Sequence, residues 1–226
     1  MQILIVSATY NEVKPLIEKF ILVEKKNDYF SSYTFNKINI DVLATGVGIT
    51  STAFHLGKIL SLTKYDYVFN FGIAGAFNKS IKIGDVVNVA SDIISELGAE
   101  NGKSFLRFDE LKIGESTMQK TAYKVENKNI INNPVISVLP VVKGITVNTV
   151  HGNSASISEI EKLFSPDVES MEGAAFLFAC NFENLKCAQI RAISNHVEVR
   201  NIHNWNIELA IKNLNDTALK IINTIC

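Results

Sequence analysis

Short apolar runs rich in β-branched and aromatic residues recur along this chain, and each stops abruptly at small or polar residues. Gln2–Ala8 ends at Thr9-Tyr10-Asn11-Glu12, Ile38–Ala44 at Thr45-Gly46-Val47-Gly48, and Tyr65–Phe71 at Gly72-Ile73-Ala74-Gly75-Ala76. Cys187–Ser194 ends at Asn195, and Asp85–Ile94 and Gly144–Thr149 read as further strands. Helical patterns stand between them at Asn11–Phe20, Ile49–Leu62, Ser158–Phe164, Met171–Phe182 and Trp205–Ile225. Tyr29–Phe35 reads as a hairpin partner of Ile38–Ala44, and Ser95–Asn133 as an irregular excursion over the surface. Such alternation predicts an α/β three-layer sandwich around one central mixed sheet flanked by helices, in a single domain over 1–226.

Composition narrows the function classes. The 226 residues are 47% hydrophobic and 20% charged, a globular balance, and the formal net charge of −1 offers no electrostatic reason to bind nucleic acid. No apolar run approaches the ~20 residues of a membrane span. The opening residues lack a signal peptide's basic region, and the three cysteines have no CxxC spacing, so a reducing cytoplasm is expected. His151 and His196 have no metal-ligand spacing and read as loop residues; neither a metal nor an organic cofactor is expected.

In open α/β sheets ligands bind beyond the carboxyl ends of the strands. Thr9–Glu12, Thr45–Gly48, Gly72–Ala76, Val168–Glu172 and Ser194–Asn195 are expected to meet there. Thr45-Gly46-Val47-Gly48 carries Ser51 where a dinucleotide fingerprint needs its third glycine, so neither that motif nor a P-loop is supported. Ala74 and Gly75 are small enough for a ligand to approach the backbone, although both glycine-rich turns are also explained by positive φ. Glu12 fits a capping box with Thr9 and equally a carboxylate that orients water. Glu172 opens an otherwise uncharged helix start, where the helix dipole favours it; a buried carboxylate needs donors, and sugar hydroxyls supply them.

Asn11-Glu12-Val13, Thr45-Gly46-Val47-Gly48, Gly72-Ile73-Ala74-Gly75-Ala76, Ile83-Gly84-Asp85-Val86-Val87, Glu169-Ser170-Met171-Glu172-Gly173-Ala174-Ala175 and Arg191-Ala192-Ile193-Ser194-Asn195 together resemble the purine nucleoside phosphorylase and nucleosidase superfamily, over nearly the whole chain. Within it the likeness is to the nucleosidases, especially the futalosine hydrolases. The resemblance implies a purine nucleoside substrate, with Glu12 positioning the attacking water and Glu172 holding the ribose hydroxyls beside Met171. It also implies that Asn195 faces the N7 edge of the base and that the turn Thr149-Val150-His151 flanks it. The segment around Phe105 would reach a neighbouring subunit, which implies a homodimer, and a substrate carboxylate would call for Arg200, Arg107 or a lysine.

Two residue choices refine this expectation. There are 19 lysines but only three arginines, and no arginine precedes Arg107, so the early turns lack the cations that hold phosphate in phosphorylases. Water is therefore the expected nucleophile. Asn195 stands where adenine-specific nucleosidases of the superfamily carry Asp. An amide cannot give up a proton to adenine, but its N–H can stabilise a departing 6-oxopurine anion. The expected reaction is hydrolysis of the N-glycosidic bond of a 6-oxopurine nucleoside. A methylthioadenosine/S-adenosylhomocysteine nucleosidase is the alternative, ahead of a phosphorylase or a nucleoside-binding protein without turnover.

Overall fold

The computed structural model describes residues 1–111 and 123–225. Its elements run β1 (Gln2–Ser7), α1 (Tyr10–Ile17), β2 (Ile21–Lys25), β3 (Phe30–Phe35), β4 (Ile38–Ala44), α2 (Ile49–Leu62), β5 (Tyr67–Ala76) and β6 (Val86–Ile94). There follow β7 (Gly98–Asn101), β8 (Ser104–Arg107), β9 (Lys124–Glu126), β10 (Val141–Thr146), α3 (Ser154–Phe164), β11 (Val168–Ser170), α4 (Gly173–Phe182), β12 (Cys187–His196) and α5 (Ile207–Asn223).

Ten strands form one mixed sheet in the order β11-β10-β6-β12-β5-β1-β4-β3-β2, with β9 on β6. The expected sandwich is present because the central strands are apolar on both faces. In β1, Ile3 and Ile5 pack in one core with Val13 and Leu16 of α1 and Leu214 of α5, while Leu4 and Val6 pack in the other with Leu56 of α2 and Leu177 of α4. All are essentially fully buried, each contributing about 1.5–3 kcal/mol. A continuous apolar run fits a strand covered on both sides.

Several expectations are corrected. Gly72–Ala76 is not a turn but the second half of β5, paired with β12 from Val68 to Ala76. There β11 also pairs antiparallel with β5, Val168 opposite Ala76 and Glu169 opposite Gly75, which closes β5, β12, β6, β10 and β11 into a ring. β12 extends to His196, so that histidine ends a strand. α3 starts at Ser154 because the Asn153 side chain caps the Ala155 and Ser156 N–H groups. The described parts of Ser95–Asn133 hold a β7–β8 hairpin and β9, and Tyr123, Val125 and Ile131 are buried. The chain therefore returns to the core there; residues 112–122 of that expected excursion lie outside the described ones. β2 was not expected, and all five of its residues are exposed.

Candidate active site

A cavity of about 350 Å³ opens at the carboxyl ends of the parallel strands, and the five expected segments all contribute to it. Glu12, Ala74, Gly75, Val150, Met171, Glu172 and Asn195 line it together. Phe105 lies instead in an adjoining cavity of about 440 Å³ beneath the β7–β8 hairpin. Arg200 does not line the first cavity either; its guanidinium lies 5.2 Å from the ring of Trp205, which does.

Glu12 makes the capping box considered for it and also lines the cavity. Its Oε2 accepts the Thr9 backbone N–H (2.9 Å) and the hydroxyls of Ser7 (3.1 Å) and Thr9 (3.2 Å). Oε1 has a single donor among the described residues, the Ile73 N–H at 3.2 Å. One oxygen is thus tied into the helix start while the other keeps lone-pair capacity for a water proton.

Glu172 lines the same cavity. Its Oε1 accepts the Gly48 N–H at 3.1 Å, a donor that turns inward because Gly48 adopts φ +100°, a conformation costly for other residues. Burial pushes the Glu172 carboxyl above its ordinary range, against which the nearby Arg191 cation works.

Arg191 is the residue sequence reasoning missed. It is fully buried on β12, with Nη2 3.8 Å from Glu172 Oε2, and none of its guanidinium nitrogens has a hydrogen-bond partner among the described residues. It fits only because position 72 is glycine: a Cβ there would stand 2.0 Å from Arg191 Nη1 and 3.1 Å from Glu12 Oε1. The guanidinium thus sits behind both carboxylates with donors unspent. The signal in the sequence was an arginine inside an otherwise apolar strand, Ala188-Gln189-Ile190-Arg191-Ala192-Ile193. Trp205, Ile207 and Ile211, contributed from the C-terminal segment, were also missed as apolar walls.

Asn195 is held in one orientation. Its Oδ1 accepts the Ser194 hydroxyl at 2.7 Å and its Nδ2 donates to the His196 carbonyl at 3.1 Å. A carbonyl has no proton to give, so the NH2 side must face His196, and the second N–H remains for a ligand. His151, expected as a loop residue in the turn that flanks the base, lines the cavity with Glu169. No helix among the described residues is long and apolar enough to cross a membrane.

The family model described as the phosphorylase superfamily matches residues 2–225. The chain is 32% identical over 213 residues to the 5′-methylthioadenosine/S-adenosylhomocysteine nucleosidase of Maridesulfovibrio salexigens, covering 87% of each. It is 26% identical over 178 residues to the futalosine hydrolase of Thermus thermophilus, covering 76% of each. Among solved structures, futalosine hydrolase of Helicobacter pylori superposes with a TM-score of 0.79 at 17% identity, covering 99% of this chain and 97% of that one. At that identity the likeness is one of fold.

Proposed function

The chain belongs to the phosphorylase superfamily, and from that premise we propose that it is a nucleosidase hydrolysing the N-glycosidic bond of a 6-oxopurine nucleoside, futalosine, to release hypoxanthine. Its curated relatives are nucleosidases of two kinds, futalosine hydrolases and methylthioadenosine/S-adenosylhomocysteine nucleosidases, so glycosidic hydrolysis is the level common to both.

Glu12 Oε1 orients and deprotonates the attacking water. Glu172 accepts ribose hydroxyls while Met171 packs against the sugar. As the C–N bond breaks, positive charge develops on the sugar beside two carboxylates, and the bonding electrons leave with the base. The free N–H of Asn195 meets those electrons at the N7/O6 edge. No lysine or arginine lines the cavity, which favours water over phosphate as nucleophile.

The observation that carries the 6-oxopurine choice is the fixed orientation of Asn195, which presents a donor and no acid. Arg200 is proposed to receive the benzoate of futalosine: it stacks over cavity-lining Trp205, whereas Arg107 lies 3.5 Å from both Asp109 and Glu110. A cytoplasmic homodimer, with Phe105 facing the partner's site, is part of the same reading.

The test is to supply futalosine, methylthioadenosine and S-adenosylhomocysteine to the purified protein and follow free base by chromatography. Hypoxanthine release is expected; adenine release without hypoxanthine would establish the alternative nucleosidase. Rates that rise with added phosphate would indicate a phosphorylase. Tight nucleoside binding without turnover, unchanged by Glu12→Gln, would indicate a binding protein.

A further inference from the structure

Glu172 stands at the N-cap of α4, where a side-chain oxygen ordinarily accepts the N–H of the second or third helical residue. It makes no such bond. Its Oε1 takes the Gly48 N–H instead, 3.1 Å away, and Oε2 lies 3.8 Å from Arg191 Nη2. The helix-start donor that Glu172 leaves, the N–H of Ala174, goes to the hydroxyl oxygen of Thr146 at the end of β10, 2.8 Å away.

Behind that hydroxyl is a buried polar cluster with no part in the chemistry above. Thr146 Oγ1 donates to Asp92 Oδ1 at 2.7 Å, and Gln189 Nε2 donates to Asp92 Oδ2 at 3.1 Å. All three side chains are shielded from solvent. Asp92 pairs with Gly144 of β10, and Thr146, two residues on, is on the same face of the sheet. A Cβ on Gly173 would collide with both Asp92 Oδ2 and Gln189 Nε2, so the first turn of α4 is seated directly on the pair. A hydroxyl has one proton, and an ionised carboxylate can only accept it. The Thr146 proton is therefore spent on Asp92, and its lone pairs are left for Ala174.

We propose that Thr146 is a positioning residue for Glu172: by taking the Ala174 N–H, with Asp92 fixing the direction of its hydroxyl, it leaves the Glu172 carboxylate free to hold the ribose hydroxyls. The inference rests on the nucleosidase reading above and deepens it. Without the Thr146 hydroxyl the Ala174 N–H is buried and unpaired, and the carboxylate at the N-cap is an acceptor within reach of that turn. Glu172 then caps its own helix and withdraws from the substrate.

The experiment compares KM for futalosine and for its 2′,3′-dideoxy analogue in the wild type, Thr146→Val, Thr146→Ser and Glu172→Gln, following free hypoxanthine. The wild type is expected to favour the ribonucleoside about 10- to 100-fold, the range of one hydrogen bond to a charged group. Thr146→Val keeps the shape and loses the acceptor, so the preference should collapse to that of Glu172→Gln. The change should fall on KM for futalosine, with KM for the dideoxy analogue nearly unmoved; a merely structural role would shift both alike. Thr146→Ser keeps the hydroxyl and should restore most of the preference. A wild-type preference in Thr146→Val would overturn the proposal, as would equal losses in Thr146→Val and Thr146→Ser. Should Thr146→Val fail to fold, Asp92→Ala removes the group that orients the hydroxyl, and an unaltered preference there would be equally fatal. Hypoxanthine release with the preference intact in these variants sinks this inference alone. A wild type that releases no base from futalosine or methylthioadenosine sinks the nucleosidase reading with it, and if only methylthioadenosine is cleaved the same ratio is read on that nucleoside.

Discussion

Asn215 of α5 donates from Nδ2 to the backbone carbonyl of Glu12 at 2.8 Å and accepts the Leu16 N–H on Oδ1 at 2.9 Å. These are two groups that an unbroken helix would join to each other, and Pro15 stands between them. A buried amide 203 residues downstream thus fixes the backbone from which the cavity-lining Glu12 carboxylate projects.

Asn215→Leu is therefore expected to harm both stability and rate. It leaves backbone groups of α1 unpaired in the interior, a cost of about 2–3 kcal/mol. Chemical denaturation should show that loss, and kcat should fall about tenfold by the misplacement of Glu12. Unchanged kcat in the folded variant would show that Glu12 needs no such anchor.

Asn195→Asp should exchange one substrate for another. A carboxylate beside O6 repels the developing anion and removes the oriented donor, so 6-oxopurine turnover should drop about 10²–10³-fold. Adenine release from methylthioadenosine should rise in the same variant, since an acid then faces N7. Equal effects on both nucleosides would detach this residue from base recognition.

Arg191→Met is expected to separate activity from stability. The guanidinium is buried with no hydrogen-bond partner among the described residues, so an apolar chain of similar length should leave the melting temperature unchanged or higher. Turnover should nevertheless fall about 10²-fold as Glu172 loses its cation. The cation opposes the upward push of burial on Glu172, so its removal should move the acidic limb of the rate profile to higher pH. A lower melting temperature with normal turnover would reverse this assignment.

Asp92 sets a stability slope in mildly acidic solution. It is fully buried, bonded to the Thr146 hydroxyl (2.7 Å) and Gln189 Nε2 (3.1 Å), and burial pushes its carboxyl up to about 6 from 3.8. Between about pH 4 and 6 the folded chain holds a proton that the unfolded chain has released, so stability declines as pH rises through that window. The total is of order 3 kcal/mol. Asp92→Asn should flatten the slope, its NH2 group supplying the unpartnered Gln189 Oε1. Thermal melts from pH 4 to 7 test this, and parallel curves for the two proteins would disprove it.

What the sequence discloses is the part set by local rules. The apolar run of β1, the positive-φ glycine turn before α2 and the Thr9–Glu12 helix start all follow from residue type and spacing. Gly72–Ala76 reads as a turn because small residues look like punctuation; what makes it a strand is pairing with β11 and β12, which belongs to the fold and not to the segment. The surroundings of Arg191 and Glu169 are illegible for the same reason, although both residues stand in the motifs that carry the family resemblance. A charge in an apolar strand becomes meaningful only once a distant glycine or histidine is seen to make room for it or bind it. β2 is invisible to burial patterns because Ile21, Leu22 and Val23 are exposed.

The register of β11 against β5 ties Glu169 to Gly75, and Met171 and Glu172 follow within three residues. The distance between the two ends of the pocket is thereby inherited from backbone hydrogen bonds and not tuned side chain by side chain. An insertion at Ser170 would break the spacing between Glu169, held by the β11–β5 register, and Glu172 at the start of the next helix, so the two strands and that helix start act as one piece.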